Sequence, residues 1–292
     1  MRCFLALAVV LVACRTNSGT VSPSGSGGPT LTYLGVAGWS LGSGAGTLLV
    51  DPYVTRVKVE DEGQLLVADE AAIAAYTPAR VDVVLVGHSH YDHVLDVPAI
   101  ARRTGATVVG TQSTANLARA GGVAEDKIVV TQGGQTRSFG PFVVRTVAGL
   151  HSLTGQADEP IAREIALPMA ARGYGEGGTL HYLVESAGRR VLFVGTANFV
   201  EAAMVGLRPD VAVVAVGLRD KVPDYTCRLL RALDRPPLVV PNHFDEFREP
   251  LQPGSEPSEE TREDLEAFAV EVHACAPEAR VVVPSPLRPI AL

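Results

Sequence analysis

Three of the chain's seven histidines fall within the short segment Gly87-His88-Ser89-His90-Tyr91-Asp92-His93. In an extended loop residues i and i+2 point the same way, so His88 and His90 can offer two imidazoles to one ion. If a helix begins just after them, Asp92 and His93 project from its first turn and reach either the same ion or a second one close by. Imidazole and carboxylate are donors that zinc accepts. A zinc site that leaves a position open to water brings that water's pKa down to about 7. Two further histidines follow strand-like runs: His151 in Ala148-Gly149-Leu150-His151-Ser152, and His243 in Pro241-Asn242-His243-Phe244-Asp245. They complete the set if those strand ends share an edge with the first cluster. His181 and His273 lie inside apolar strand and helix patterns without ligand neighbours, and read as structural. Ser89 and Ser152 adjoin candidate ligands, yet neither has a spare histidine to serve as its base, so both read as loop residues.

Strands have to carry these side chains to one place. Strand-like runs occur at Leu31–Val36, Gly46–Val50, Val81–Val86, Thr107–Gly110, Ile128–Thr131, Phe142–Val147, Leu180–Glu185, Val191–Val194, Val211–Val216 and Leu238–Val240. Helical spacing appears at Val97–Arg103, Ser113–Ala120, Asp224–Leu233 and Glu259–Ala274. The near-continuous apolar runs at Val81–Val86 and Val211–Val216 are those of buried central strands, and the first of them runs straight into the histidine cluster. With no second linker and no internal repeat, residues 31–292 read as one α/β domain whose sheets lie between helices. Tyr53–Pro78 and Ser152–Gly178 are long insertions flanking the cluster. Ile161, Ile165, Leu167 and Met169 in the second form either a partly apolar rim, which points weakly to a lipid or acyl substrate, or the packing of the insertion onto the domain.

Composition suits a folded protein, with 47% hydrophobic and 20% charged residues. A net charge of -7 and the lack of any dense Lys/Arg block argue against a nucleic-acid partner. At the N-terminus Arg2 precedes an apolar run from Cys3 to Val12, about half of the roughly 20 residues a bilayer span needs. Leu11-Val12-Ala13-Cys14 resembles the lipobox of bacterial lipoproteins. That resemblance implies a signal peptide over residues 1–13, lipidation at Cys14, and export to the bacterial cell envelope on a membrane anchor; an ordinary secretory signal is the alternative. Residues 14–30, rich in Ser, Gly, Thr and Pro, read as a flexible tether. Cys227 and Cys275 then remain, either as a disulfide or as buried free thiols.

His88, His90, Asp92 and His93 match the H-x-H-x-D-H signature at every defined position, and the chain resembles the metallo-β-lactamase superfamily from about Leu31 to Leu287. The resemblance implies a four-layer αββα sandwich with metals at one edge. Within it, Leu85–His93 and Asn242–Phe247 look like the branch containing ascorbate phosphate lactonase and N-acyl phosphatidylethanolamine phospholipase D. By that comparison His88, His90 and His151 hold one metal, and Asp92, His93 and His243 the other. Asp92 also orients or deprotonates the attacking water, and Asp51 in Val50-Asp51-Pro52 orders the loop beneath the metals. The implied activity is metal-dependent hydrolysis of an ester, lactone or phosphodiester bond in a small-molecule or lipid-like substrate. The alternatives are an iron-dependent oxidoreductase of the same fold and a non-catalytic metal-binding lipoprotein. One departure stands out: most relatives carry a bridging aspartate after the strand corresponding to Val191–Val194, where this chain reads Gly195-Thr196-Ala197-Asn198. Thr196 and Asn198 offer only neutral oxygens as weak or substitute ligands. One zinc held tightly, with a second weak or absent, is therefore expected; manganese and iron are the other ions such a set accepts.

Overall fold

In the computed structural model residues 28–155 and 159–292 are described. The expected signal peptide over residues 1–13, the expected lipidation site Cys14 and residues 15–27 of the expected tether lie outside them. The first half runs β1 (Thr30–Gly35), β2 (Gly38–Ser43), β3 (Gly46–Val50), β4 (Leu65–Leu66), α1 (Glu70–Tyr76), β5 (Val83–Leu85), α2 (Tyr91–Val94), α3 (Val97–Thr104), β6 (Thr107–Gly110), α4 (Gln112–Ala120) and β7 (Ile128–Val130). It continues with β8 (Thr136–Phe139), β9 (Phe142–Ala148), β10 (Met169–Ala170), β11 (Leu180–Ser186), β12 (Arg189–Val194), α5 (Glu201–Met204), β13 (Val211–Ala215), α6 (Tyr225–Ala232), β14 (Leu238–Asn242), α7 (Glu259–Cys275), β15 (Arg280–Val281) and β16 (Pro289–Ala291). Two seven-stranded sheets result, ordered β16-β1-β2-β3-β5-β6-β7 and β15-β14-β13-β12-β11-β9-β8.

The period-two alternation of strands explains why the apolar runs are continuous. In β5, Val83 and Leu85 face the core between the sheets, together with Tyr33, Trp39, Phe142, Tyr182 and Phe193. Val84 and the following Val86 face the opposite way, against Ile100 and Leu117 of α3 and α4. β13 repeats this, with Val211 and Val213 inward and Ala212 and Val214 against α6 and α7 through Leu229, Phe268 and Val272. Both faces of each central strand are buried, so neither has polar positions. Helix, sheet, sheet, helix is the four-layer αββα sandwich of the metallo-β-lactamase fold.

Helix ends follow local chemistry. Asp69, Thr111 and Ser258 cap α1, α4 and α7 through their side-chain oxygens, and α3 stops at left-handed Gly105 (φ 72°). The central strand Val81–Val86 is shorter than expected, at Val83–Leu85, and β2, β8, β15 and β16 are added at positions without a clean apolar signal. The insertions are more ordered than a rim or lid: Met169 pairs with Leu66 and Ala170 with Leu65 to clasp one insertion to the other. Ile161 is buried in the helix-side core, and Ile165, Leu167 and Met169 pack against it. These residues fix the insertion to the domain by packing on its helix-side core. Cys227 and Cys275 form a disulfide between α6 and α7 with their Cα atoms 5.2 Å apart. Among the described residues no helix is long and apolar enough to cross a membrane.

Candidate metal centre

Every candidate ligand sits where a strand has just ended. The backbone leaves β5 through Gly87, places His88 and His90 in the loop, and enters α2 at Tyr91, so Asp92 and His93 lie in its first turn. His151 follows β9 and His243 follows β14, both from the second sheet. The six side chains gather in two groups, His88 with His90 and His151, and Asp92 with His93 and His243; within each, one potential ligand atom per residue lies within 4.8 Å of the others. His88 Nε2 and His90 Nδ1 face each other at 3.0 Å. Asp92 Oδ2 stands 3.3 Å from His243 Nε2 and 3.7 Å from His93 Nε2.

A buried nitrogen without a partner shows that this donor set fits a metal. His93 Nε2, on the side that faces Asp92, is shielded from solvent and has no hydrogen-bond partner, a costly state for a polar atom that is not ligating. The other ring nitrogens are held from behind. His151 Nδ1 lies 2.9 Å from the Ser152 carbonyl, and His93 Nδ1 lies 3.0 Å from Asp51 Oδ2, the outer contacts that fix tautomer and ring orientation in histidine metal sites. Asp51 Oδ1 accepts the Gly87 N–H at 2.6 Å, so the same carboxylate orders the start of the ligand loop.

Electrostatics sort the histidines. Burial, with the imidazoles of His93, His90, His151 and His243, holds His88 well below the ordinary histidine pKa. Burial with His90 and His93 takes His151 down to about 4. Both are neutral at pH 7, the form in which imidazole ligates. Burial disfavours charge on His93 too, but Asp51 and Asp92 outweigh it and raise its pKa. Burial also pushes the Asp92 carboxyl up, yet His93, His243 and His90 together hold it below the usual carboxylate range, so it is ionised.

Thr196 and Asn198, the two neutral-oxygen candidates, are placed differently from each other. Thr196 lines the cavity over the ligands, with its hydroxyl accepting the Ser152 N–H and donating to Ser152 Oγ, both at 3.0 Å. Asn198 is not a substitute ligand: its Oδ1 accepts the Phe199 N–H at 2.9 Å and its Nδ2 donates to the His151 carbonyl at 3.0 Å, so the amide brackets the ligand loop from behind. Ser89 is buried against Thr114, His181 lies 3.1 Å from the Asn198 carbonyl, and His273 bonds within α7. The cavity over the ligands, roughly 450 Å³, is also lined by Leu218, Phe244 and Phe247. A neighbouring cavity of roughly 460 Å³ shares His90, Asp92 and Phe247 with it and adds Tyr91, Arg172, Tyr174 and Arg248. Sequence reasoning missed this second wall. Tyr91 stood inside the signature, but no pattern marks Arg172 or Arg248, which the insertion and the loop after β14 bring in.

The profile of the β-lactamase superfamily domain matches residues 47–244, a span that holds all six side chains. The chain belongs to the metallo-β-lactamase superfamily. Among similar members, a UPF0173 metal-dependent hydrolase of Rubrobacter xylanophilus is 29% identical over 86% of this chain and 95% of its own length. One of Anaeromyxobacter sp. is 28% identical over 83% and 84%. Two solved structures share the superfamily fold: a metallo hydrolase from Ignicoccus hospitalis (TM-score 0.59, 20% identity, 90% of this chain and 98% of that one), and CmlA, a diiron β-hydroxylase from Streptomyces venezuelae (TM-score 0.61, 17% identity, 91% of this chain and 54% of that one).

Proposed function

We propose that this superfamily member is a metal-dependent hydrolase that cleaves an ester, lactone or phosphodiester bond of a small or lipid-like molecule. The observation that carries the proposal is the pair of ligand groups at the floor of one cavity. A divalent ion held there would supply a Lewis acid and an acidified water. His88, His90 and His151 would hold one ion, and Asp92, His93 and His243 another. Asp92, ionised and facing the cavity, is the group placed to orient the water and take its proton. Tyr91, Arg172 and Arg248 line the space where the rest of a substrate would lie, and exposed Leu150, Leu153 and Leu218 flank the ligands, a mixture that suits a molecule with polar and apolar parts.

The two groups differ in charge. Asp92 is the only carboxylate among the six, and Asp51 backs His93 in the same group. The other group is three imidazoles with no carboxylate, beside a committed Thr196 hydroxyl. The Asp92 group therefore holds its ion tightly and the histidine-only group weakly. Zinc is the ion that best suits nitrogen-rich ligands with one carboxylate. At the N-terminus, the sequence around Cys14 supports a lipid anchor and residence in the cell envelope, and the Cys227–Cys275 disulfide suits an oxidising compartment.

The test is a panel of ester, lactone and phosphodiester substrates with added zinc or manganese, beside His90→Ala as control. Turnover that His90→Ala abolishes supports the hydrolase; turnover that survives it overturns the assignment. Mass-spectrometric metal analysis expects about one tight equivalent, and two tight equivalents, or iron, would reject that part. Membrane fractionation of wild type and Cys14→Ser tests the anchor, and equal distribution of the two rejects it.

A further inference from the structure

His243 has a left-handed backbone (φ 53°), which a residue with a Cβ keeps only where its surroundings impose it. What imposes it begins two residues on. Asp245 Oδ1 accepts the Val36 N–H at 2.8 Å and the Tyr33 hydroxyl at 3.0 Å, and Oδ2 accepts Arg56 Nη1 at 2.8 Å. The Val36 carbonyl in turn accepts the His243 N–H at 2.8 Å. Arg56 spends its other donors on the same loop, Nε on the Glu249 carbonyl and Nη2 on the Glu246 carbonyl, each at 2.7 Å. Its side chain is only 5% exposed and that of Asp245 17%. Exposed ion pairs contribute little. This one is walled off and its polar atoms are engaged, the condition under which a buried pair specifies a geometry.

We propose that the Arg56–Asp245 pair is a positioning device for His243. It locks the turn after β14 so that the imidazole already faces Asp92 before any ion arrives. Neither residue belongs to a ligand group; both act through His243. The proposal rests on the reading of Asp92, His93 and His243 as an ion site.

The experiment measures zinc affinity of the full chain by competition with a chromophoric chelator. The variants are Asp245→Asn, Arg56→Met, His243→Ala, and His243→Ala combined with Asp245→Asn. The expected result is tight-site affinity weakened about tenfold to a hundredfold in each of the first two, the range typical of outer partners of a ligand. Asp245→Asn adds no further loss once His243→Ala is present. Val272→Ala in α7 serves as a destabilised control that lowers the melting temperature and leaves zinc affinity unchanged. Zinc affinity within twofold of wild type in Asp245→Asn and Arg56→Met overturns the proposal, as does an equal loss with and without His243. Should Arg56→Met fail to fold, Asp245→Asn decides alone, since it keeps an acceptor for Tyr33 and Val36. A wild-type protein that binds no zinc rejects the ion site itself, and the positioning role with it.

Discussion

Asp51 can serve Gly87 and His93 together only because nothing fills the space beside it. A Cβ on Gly87 would lie 2.9 Å from Asp51 Oδ2, and one on Gly195 would lie 2.8 Å from the same atom. Gly195→Ala is therefore expected to push the carboxylate off His93 and to weaken zinc binding about tenfold or more while the fold persists; an unchanged zinc content after chelator dialysis would rule this out. Such residue-scale facts were partly legible. His88, His90, Asp92 and His93 announce themselves because a loop and a helical turn keep them contiguous, and His151 and His243 because each follows an apolar strand. Arg56 carries no such mark. Its partner Asp245 is 189 positions away, and nothing short of the folded chain brings them together. Asn198 was misread for the same reason, since proximity in sequence does not say which way an amide points.

At the scale of elements, strands with both faces buried were plain from their apolar runs, while β2, β8 and β16 were not. β2 begins at Gly38 and is interrupted by Gly42, β8 is largely exposed, and β16 is a short edge strand; none has a strong periodic signal to give. The clasp of β4 on β10 is likewise too short for any period to show. The disulfide is an element-scale device: it closes a loop of 48 residues containing β14, from which His243 projects. In the chain-entropy picture a loop of that length stabilises the fold by about 4 kcal/mol. Cys227→Ser is expected to cost up to about that much in urea unfolding at pH 7, and a midpoint that does not move would show that the bridge constrains nothing.

For the whole molecule, the decisive feature is that each ligand group draws on both sheets. His88 and His90 come from the first and His151 from the second; Asp92 and His93 come from the first and His243 from the second. Ion binding then ties the sheets at one edge, so chelation should lower the melting temperature, by an amount that grows with the free ion concentration used for comparison. Acid should act through the buried histidines whose pKa burial lowers, His88, His151 and, in β11 of the second sheet, His181. Burial takes the His181 pKa from 6.5 down to about 4, so between those values the unfolded chain binds the proton and the folded one does not. Its contribution, about 3 kcal/mol, is complete above pH 6.5 and is lost as pH falls toward 4. His181→Gln should reduce the slope of the stability profile across that window, leaving the part due to His88 and His151, and a parallel profile would refute the assignment.

One strand sets an order in time. β16 pairs with β1 through Thr30↔Ala291, Leu31↔Ile290 and Thr32↔Pro289, although the other six strands of that sheet end by Val130. During synthesis β1 must wait, with its backbone groups unpaired on one side, while the whole second sheet is made. The earliest part of the domain to emerge is thus among the last to be sealed, and a chain stopped before Pro289 would carry an open edge ready to recruit a neighbour.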